Sequence, residues 1–343
     1  MSEAGGDDDG KRPGARSEPQ ASAVSVAGVL AGDRRALAKT ITLLESRRPD
    51  HVEQGQRVLE ALAPHAGGAH RVGITGPPGV GKSSFIETLG LHLIERGQRL
   101  AVLTIDPSSP VTGGSILGDK TRMPRLSREP AAYIRPSPSG GTLGGVAHRT
   151  REAMLVCEAA GFDVIVVETV GVGQSEAEVA SMVDFFGVLL QPGSGDELQG
   201  IKKGVLELAD GLVVNKADGE LKAAAELTCA DFRAALGQLR PRSPSWQPTV
   251  AIASAHSGEG VAVFWNNVRA HRAALEASGE LAERRRGQLR SWLWRLIGDA
   301  LEAALRAKPE VAALLPEIER QVEQQATTPP RAARALLDTF LKG

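Results

Sequence analysis

The sequence predicts an α/β fold with a mainly parallel sheet, flanked by helices at both ends of the chain. Six short apolar runs alternate with helical stretches between residues 72 and 253, which is typical of parallel strands covered by helices on both faces. Before Leu62 and after Val261, apolar residues recur only at helical spacing. With 42% hydrophobic and 24% charged residues, the composition is that of an ordinary globular protein, so a buried core is expected.

Four regions follow one another along the chain. Residues 1–22 are rich in Gly, Asp, Ser and Pro and are expected to form a disordered tail. Residues 23–66 carry two amphipathic helices with a break between Ser46 and Asp50, and residues 67–262 form the sheet domain. Residues 263–343 form a helical extension, interrupted at Pro309, Pro316 and Pro329. The expected strands are Val72–Thr75, Leu100–Ile105, Val164–Glu168, Val188–Leu190, Leu212–Asn215 and Val250–Ala253.

Charge and cysteine content exclude several classes of protein. A net charge of -1 provides no general attraction for nucleic acid or an anionic membrane, and we expect neither partner. The run Arg284 to Arg286 falls in a helical pattern and is interpreted as a solvated face. Cys157 and Cys229 lie far apart, without Cys or His at metal-ligand spacing, which argues against a disulfide scaffold or a zinc site. No leader or spanning segment is recognised, so a cytoplasmic location is expected.

A phosphate-binding loop follows the first predicted strand. Its glycines let successive N–H groups point at phosphate, and Lys82 is expected to reach the β- and γ-phosphates of a nucleotide. The Ser83 hydroxyl is expected to bind Mg²⁺, with Ser84 donating to the α-phosphate. A chance Gly-rich turn is the alternative, but the strand before the motif and the helix after it argue against chance. The motif comprises Gly76, Pro77, Pro78, Gly79, Val80, Gly81, Lys82 and Ser83.

A second segment selects the base of the nucleotide. Asp218 can accept two hydrogen bonds from the N1–H and N2–H₂ edge of guanine, whereas adenine presents no such pair of donors. Asn215 is expected to stabilise the loop and the base edge, and the Lys216 stem to cover the ring. Helix capping is the alternative role for Asn215 and Asp218. The phosphate loop upstream and Ser254-Ala255 after the next strand favour guanine binding.

Three acidic residues are candidates for the metal environment. Glu168 ends a strand expected beside the phosphate loop, where it is placed to hold Mg²⁺ directly or through water, and Gly171 would meet the γ-phosphate. Asp106 and Asp119 lie in a Gly-, Ser- and Pro-rich stretch that is expected to act as a mobile switch. All three acids have an alternative as plain turn or capping residues.

Together these segments indicate a P-loop NTPase that hydrolyses GTP. Lys82 and Mg²⁺ would offset the charge that develops on the transferred phosphoryl group while a water attacks it. No residue of the sequence stands out as the group that positions this water. Loss of the γ-phosphate would release the switch segments and change affinity for a partner.

The same residues resemble the MeaB/ArgK family of GTPases. The resemblance runs from about Val24 to Leu341, with small departures at Pro77, where an aliphatic residue is more usual, and at Ser84, where Thr is usual. The matching stretches are 30–38, 73–84, 106–109, 118–123, 168–176 and 195–203.

This resemblance implies a chaperone of an adenosylcobalamin-dependent acyl-CoA mutase. Family members gate cofactor loading, protect or reactivate the mutase, form homodimers through C-terminal helices, and have an adenosyltransferase as an indirect partner. By position, Ser83, Asp106, Asp119 and Glu168 resemble the family's Mg²⁺ environment. Residues 191–203 resemble a third switch in which Asp196 and Lys202 respond to the partner; a plain solvated loop is the alternative. The resemblance also implies that Lys82, Asp106, Glu168 and Lys202 are catalytic residues.

Two other functions remain open. A nickel-delivery metallochaperone GTPase would need a His-rich tract or closely spaced Cys and His, whereas the seven His residues here are scattered. An ATP-dependent kinase or transport accessory protein is suggested by the older ArgK name, but the segment Asn215 to Asp218 opposes ATP.

Overall fold

A seven-stranded, wholly parallel sheet forms the centre of the protein. In the computed structural model, residues 24–46, 48–105, 122–137, 143–169, 175–193 and 203–342 are described. The strand order is β3-β2-β4-β1-β5-β6-β7, which confirms the predicted parallel α/β fold. The strands are β1 (His70–Thr75), β2 (Leu100–Ile105), β3 (Ala132–Ser137), β4 (Val164–Thr169), β5 (Phe185–Leu190), β6 (Gly211–Val214) and β7 (Thr249–Ile252).

Helices precede, cover and follow the sheet. Their bounds are α1 (Val26–Leu30), α2 (Arg34–Leu44), α3 (Pro49–Leu62), α4 (Lys82–Ile94), α5 (Leu143–Ala159), α6 (Ser175–Ala180), α7 (Lys203–Leu208), α8 (Lys222–Leu236), α9 (Val261–Ser278), α10 (Glu280–Ala307), α11 (Pro309–Glu323) and α12 (Pro329–Leu341). None of these described helices is long and apolar enough to cross a membrane.

Side chains that alternate along the strands enter two hydrophobic cores, one on each face of the sheet. In β2, Ala101 and Leu103 belong to one core, while Leu100 and Val102 belong to the other. Helices α2, α3, α5, α6 and α8 contribute buried residues to the first core, and α4 and α9 contribute to the second. Burial on both faces explains why the strands read as continuous apolar runs in the sequence.

Three details differ from the sequence-based predictions. The edge strand β3 was not predicted, because its segment has a short apolar run followed by Arg135 and Pro136. A proline is tolerated in this strand because β3 lies at the edge of the sheet. Within the described residues 24–62, three helices form rather than two, since Asp33 caps α2 by accepting from the N–H of Ala36 at 2.6 Å and so separates it from α1. Pro316 lies within α11 without ending it, so the interruption expected at this residue is wrong.

The C-terminal helices begin against the sheet. In α9, Phe264, Trp265 and Val268 are buried in the same core as α4. The predicted boundary between residues 262 and 263 falls in the first turn of this helix, and the division into domains stays a prediction.

The expectation of a solvated Arg284–Arg286 face is wrong for two of its three residues. Arg284 and Arg285 in α10 pair with Asp210 and Asp184, whose side chains are only 1% and 5% exposed. Arg286 alone is largely exposed. Helical periodicity shows which residues of α10 share a face. It does not show that the aspartates at the amino ends of β5 and β6 lie next to that face.

Candidate nucleotide-binding site

The phosphate-binding loop connects β1 to α4 at the centre of the sheet. Gly76 has φ of 149°, and a Cβ atom on it would lie 2.5 Å from the carbonyl oxygen of Leu189 in β5. A side chain at this position would therefore clash with the backbone of the neighbouring strand. Gly81, with φ of 91°, precedes the first residue of α4. The first N–H groups of α4 consequently face the loop, in the arrangement that binds anions at helix N-termini.

Lys82 folds back onto its own loop. Its Nζ donates to the carbonyl oxygens of Gly76 at 2.7 Å and Pro77 at 3.1 Å. Burial lowers the pKa of Lys82 and nearby Arg122 lowers it further, while the charges of Glu168 and Glu176 act in the opposite direction. The loop thus holds a desolvated ammonium group that phosphate oxygens would stabilise better than two carbonyl oxygens do.

Glu168 lies directly beside the phosphate loop. Strand β4 pairs with β1 in the register that sets Ile74 opposite Glu168, and the Ser83 hydroxyl donates to Glu168 Oε1 at 2.9 Å. Thr169 and Thr75, at the ends of the same two strands, are hydrogen-bonded through their hydroxyls at 2.6 Å. A serine hydroxyl and a carboxylate at this distance are hard oxygen donors, and they fit the ligand preference of Mg²⁺.

Asn215 joins the base-binding segment to the phosphate loop. Its Nδ2 donates to the carbonyl oxygen of Val80 at 2.8 Å, and its Oδ1 accepts from the N–H of Ala255 at 3.1 Å. The side chain is fully buried, so both bonds are shielded from water. Asn215 therefore fixes three loops relative to one another: the phosphate loop, its own loop and the loop after β7.

The loop after Asn215 places Asp218 beside Ser254. The Ser254 hydroxyl donates to Asp218 Oδ2 and accepts from the N–H of Ser257 at 3.1 Å, which orients the carboxylate. Lys216 has φ of 60°, a left-handed conformation that is unusual for a residue with a side chain and is often found at binding sites.

A cavity of about 430 Å³ lies between the base-binding segment and the start of α4. Six of the predicted nucleotide-binding residues line it: Gly81, Ser84, Asn215, Lys216, Asp218 and Ala255. Five residues that the sequence did not single out also line it: Glu87, Thr88, Arg125, Leu221 and His256. For Glu87 and Thr88 a signal existed, because they lie three and four residues after Ser84 on one helix face. Arg125 had no comparable signal.

The remaining predicted residues divide into two groups. Val80 is buried, and Pro78 and Gly79 are exposed at the loop tip. The second group lies outside the described residues: Asp106, Asp119, Gly171, Asp196 and Lys202. Their assignment to the metal, the γ-phosphate and the third switch stays a prediction.

A parallel sheet with a phosphate loop after its first strand, and a base-binding loop tied to it by Asn215, defines the class of P-loop nucleotide hydrolases. That the carboxylate of Asp218 selects GTP within this class stays a prediction.

The chain belongs to the family described as methylmalonyl Co-A mutase-associated GTPase MeaB, whose model matches residues 37–310. It is 56% identical over 310 residues to a probable GTPase of Mycobacterium tuberculosis, covering 90% of this chain and 92% of the relative. It is 47% identical over 323 residues to the mitochondrial methylmalonic aciduria type A homolog of Mus musculus, covering 91% and 78%. Among solved structures, that of an LAO/AO transport system kinase matches with a TM-score of 0.74 at 37% identity, covering 93% and 96%. These similarities confirm the predicted family and support GTP hydrolysis.

Proposed function

We propose that this protein is a Mg²⁺-dependent GTPase that acts as a chaperone of an adenosylcobalamin-dependent acyl-CoA mutase. In this role it gates loading of the mutase cofactor and protects or reactivates the mutase. The observation that carries the GTPase part is the pair of hydrogen bonds that Asn215 makes with Val80 and Ala255. These bonds hold the phosphate loop close to Asp218, the carboxylate proposed to bind guanine, at one cavity. The family description and the name of the mouse relative support the mutase part.

The reaction is the hydrolysis of GTP to GDP and phosphate by attack of water on the γ-phosphorus. Lys82 is expected to leave the carbonyl oxygens of its own loop and to donate to the β- and γ-phosphates, where negative charge increases during transfer. Mg²⁺, when bound by Ser83 and by Glu168 directly or through water, would neutralise further phosphate charge. The N–H groups at the start of α4 would hold the phosphates in place.

Binding of Ser83 to a cation requires a change in one hydrogen bond. The hydroxyl that donates to Glu168 would turn its lone pair towards the metal, while Glu168 remains within reach as a ligand or as an acceptor for a metal-bound water. We further propose that Asp106 and Asp119 complete this environment, and that Gly171 and Lys202 respond to the γ-phosphate and the partner.

We also propose a homodimer formed through the C-terminal helices. Helix α10 exposes Leu289, Leu293, Trp294 and Leu301, which are each 56–69% accessible. Large apolar side chains concentrated on one helix are typical of a surface that another chain covers. Size-exclusion chromatography with light scattering tests this assembly.

Calorimetry with GTP and ATP, each with and without Mg²⁺, tests the assigned nucleotide. We expect GTP to bind more tightly, Asp218→Asn to weaken GTP binding selectively, and Lys82→Ala to abolish hydrolysis while the fold is retained. Tighter binding of ATP would refute the assignment and favour a kinase or transport accessory protein. Co-purification followed by mass spectrometry tests the partner, and stimulation of GTP hydrolysis by the recovered mutase supports a functional complex.

A further inference from the structure

Arg125 reaches the nucleotide cavity from outside the predicted nucleotide-binding residues, two positions after the family-like stretch 118–123. It lies just before the short 3₁₀ helix Leu126–Arg128, between β2 and β3. Arg125 is exposed and lines the cavity together with Ser84, Lys216 and Asp218. An exposed arginine facing a cavity for a phosphorylated ligand has the chemistry to bind that ligand.

Glu87 fixes the backbone of Arg125 relative to the phosphate loop. Its Oε1 accepts the N–H of Arg125 at 2.7 Å and the N–H of Leu126 at 3.2 Å. Glu87 lies on α4 three residues after Ser84, and residues at this spacing share one face of a helix. Arg125 is therefore attached one helical turn from the residue predicted to contact the α-phosphate.

A close apolar contact holds the same segment against α4. Leu126 is fully buried, and a Cβ atom on Gly90 would lie 2.7 Å from its Cδ1. The segment thus lies flush on the helix because Gly90 has no side chain. The hydrogen bonds from the main chain to Glu87 and the packing of Leu126 together fix the backbone of Arg125, whatever its own side chain contacts.

The lining of the cavity indicates which part of a nucleotide Arg125 faces. Ser84, Asn215, Lys216 and Asp218 line it, whereas Lys82, Ser83 and Glu168, at the predicted β- and γ-phosphate end, do not. The space around Arg125 is therefore the nucleoside and α-phosphate part of the site. A contact here would be common to GTP and GDP.

We propose that Arg125 is a nucleotide-binding residue that donates to the α-phosphate of bound GTP or GDP, and that Glu87 is the residue that positions it. This proposal rests on the proposed function of the site. The planar guanidinium offers paired donors that match phosphate oxygens, and the α-phosphate is the phosphate joined directly to the ribose, so it belongs to this part of the cavity. Arg125 contributes to affinity for nucleotide rather than to the hydrolytic step.

Displacement of a fluorescent GDP analogue by GTP, GDP, GMP and guanosine tests the assignment in the full-length chain. We expect Arg125→Ala to raise the Kd of the three phosphorylated ligands about tenfold, the range of one charge-assisted hydrogen bond, and to leave guanosine unchanged. Arg125→Lys is expected to restore part of the loss. Arg128→Ala is the matched control, because Arg128 is an exposed arginine of the same segment that does not line the cavity.

Glu87→Ala tests the positioning role. We expect it to weaken GDP binding as Arg125→Ala does, and the double variant to be no weaker than either single variant, because both changes remove one contact. Additive losses would overturn the positioning role of Glu87. Thermal melting of each variant shows whether the fold is retained.

Three outcomes would overturn the α-phosphate contact. GDP binding unchanged in Arg125→Ala refutes it outright. An equal loss for guanosine means that Arg125 contacts the base or the ribose, and a loss confined to GTP means that it contacts the γ-phosphate. A wild-type chain that binds no guanine nucleotide would instead refute the proposed function, and this proposal with it.

Discussion

Removal of Arg285 should destabilise the protein far more than removal of its neighbour Arg286. Arg285 donates from Nε and Nη2 to the two carboxylate oxygens of Asp184 at 2.9 and 2.6 Å, and Nη2 also donates to the carbonyl oxygen of Ala69 at 2.9 Å. Asp184 is 5% exposed, so Arg285→Ala leaves a buried carboxylate without its ion pair. Such a change costs about 3–5 kcal/mol, and we expect the low end because the N–H of Arg71 still donates to Asp184 at 3.3 Å.

Arg286→Ala is the matched control. Arg286 and its partner Glu283 are 62% and 58% exposed and three residues apart on one helix, so their pairing is expected to contribute at most about 0.5 kcal/mol. Urea unfolding at neutral pH measures the free energy of unfolding of both variants. If the two variants lose the same small amount, the Arg285–Asp184 pair does not hold α10 on the sheet and the reasoning is wrong.

The pH dependence gives the same prediction a second measurement. Burial raises the pKa of Asp184, but the hydrogen bonds and charge of Arg285, with Arg71, outweigh burial and hold the pKa below its usual value. A lowered pKa in the folded state stabilises the protein above the pKa of the unfolded state, about 3.9, and this stabilisation is lost as the pH falls through the folded value. In Arg285→Ala the buried Asp184 loses the main group that lowers its pKa, so its carboxylate takes up a proton more readily as the pH falls. The difference in free energy of unfolding between wild type and Arg285→Ala should therefore narrow as the pH falls from neutral to about 4 and below.

Two further predictions concern other parts of the chain. Burial raises the pKa of Glu152 to about 7, while Arg149 acts in the opposite direction. The contribution of Glu152 to wild-type stability should therefore fall by up to about 3 kcal/mol as the pH rises from 4 to 8. Glu152→Gln should remove this slope in urea unfolding, and parallel profiles would contradict the assignment. A chain truncated after Gly279 should be monomeric and still bind nucleotide. Its melting temperature should be lower than that of a chain truncated after Lys308, because only the longer chain keeps the ion pairs of Arg284 and Arg285 with Asp210 and Asp184. An intact dimer of the shorter chain, or equal melting temperatures, would refute this.

Local sequence was sufficient for most of the sheet. Strand β2 matches the predicted Leu100–Ile105 in both bounds, because a fully buried parallel strand is an unbroken apolar run. The edge strand β3 was not predicted, because a strand at the edge of a sheet needs fewer apolar residues and can contain a proline such as Pro136. The boundary between α1 and α2 depended on the hydrogen bond from the N–H of Ala36 to Asp33, which composition alone does not specify.

The nucleotide-binding motifs could likewise be predicted from the sequence, because each motif consists of residues that are close together in the chain. A phosphate loop needs glycines and a lysine at fixed spacing, and guanine selection needs one carboxylate after an asparagine. The structure adds that Asn215 physically links these motifs through Val80 and Ala255. It also brings Arg125 into the cavity through Glu87, a contact between residues 38 positions apart.

The sequence by itself determined the fold class, the family and the nucleotide motifs, because periodicity and short fixed spacings are properties of neighbouring residues. Only the tertiary structure decided which charges are buried. Arg284 and Arg285 look the same in sequence as Arg286, but two of the three meet aspartates that precede β5 and β6 about 70 to 100 residues away. Whether a charged side chain is solvated or paired depends on what the fold brings next to it.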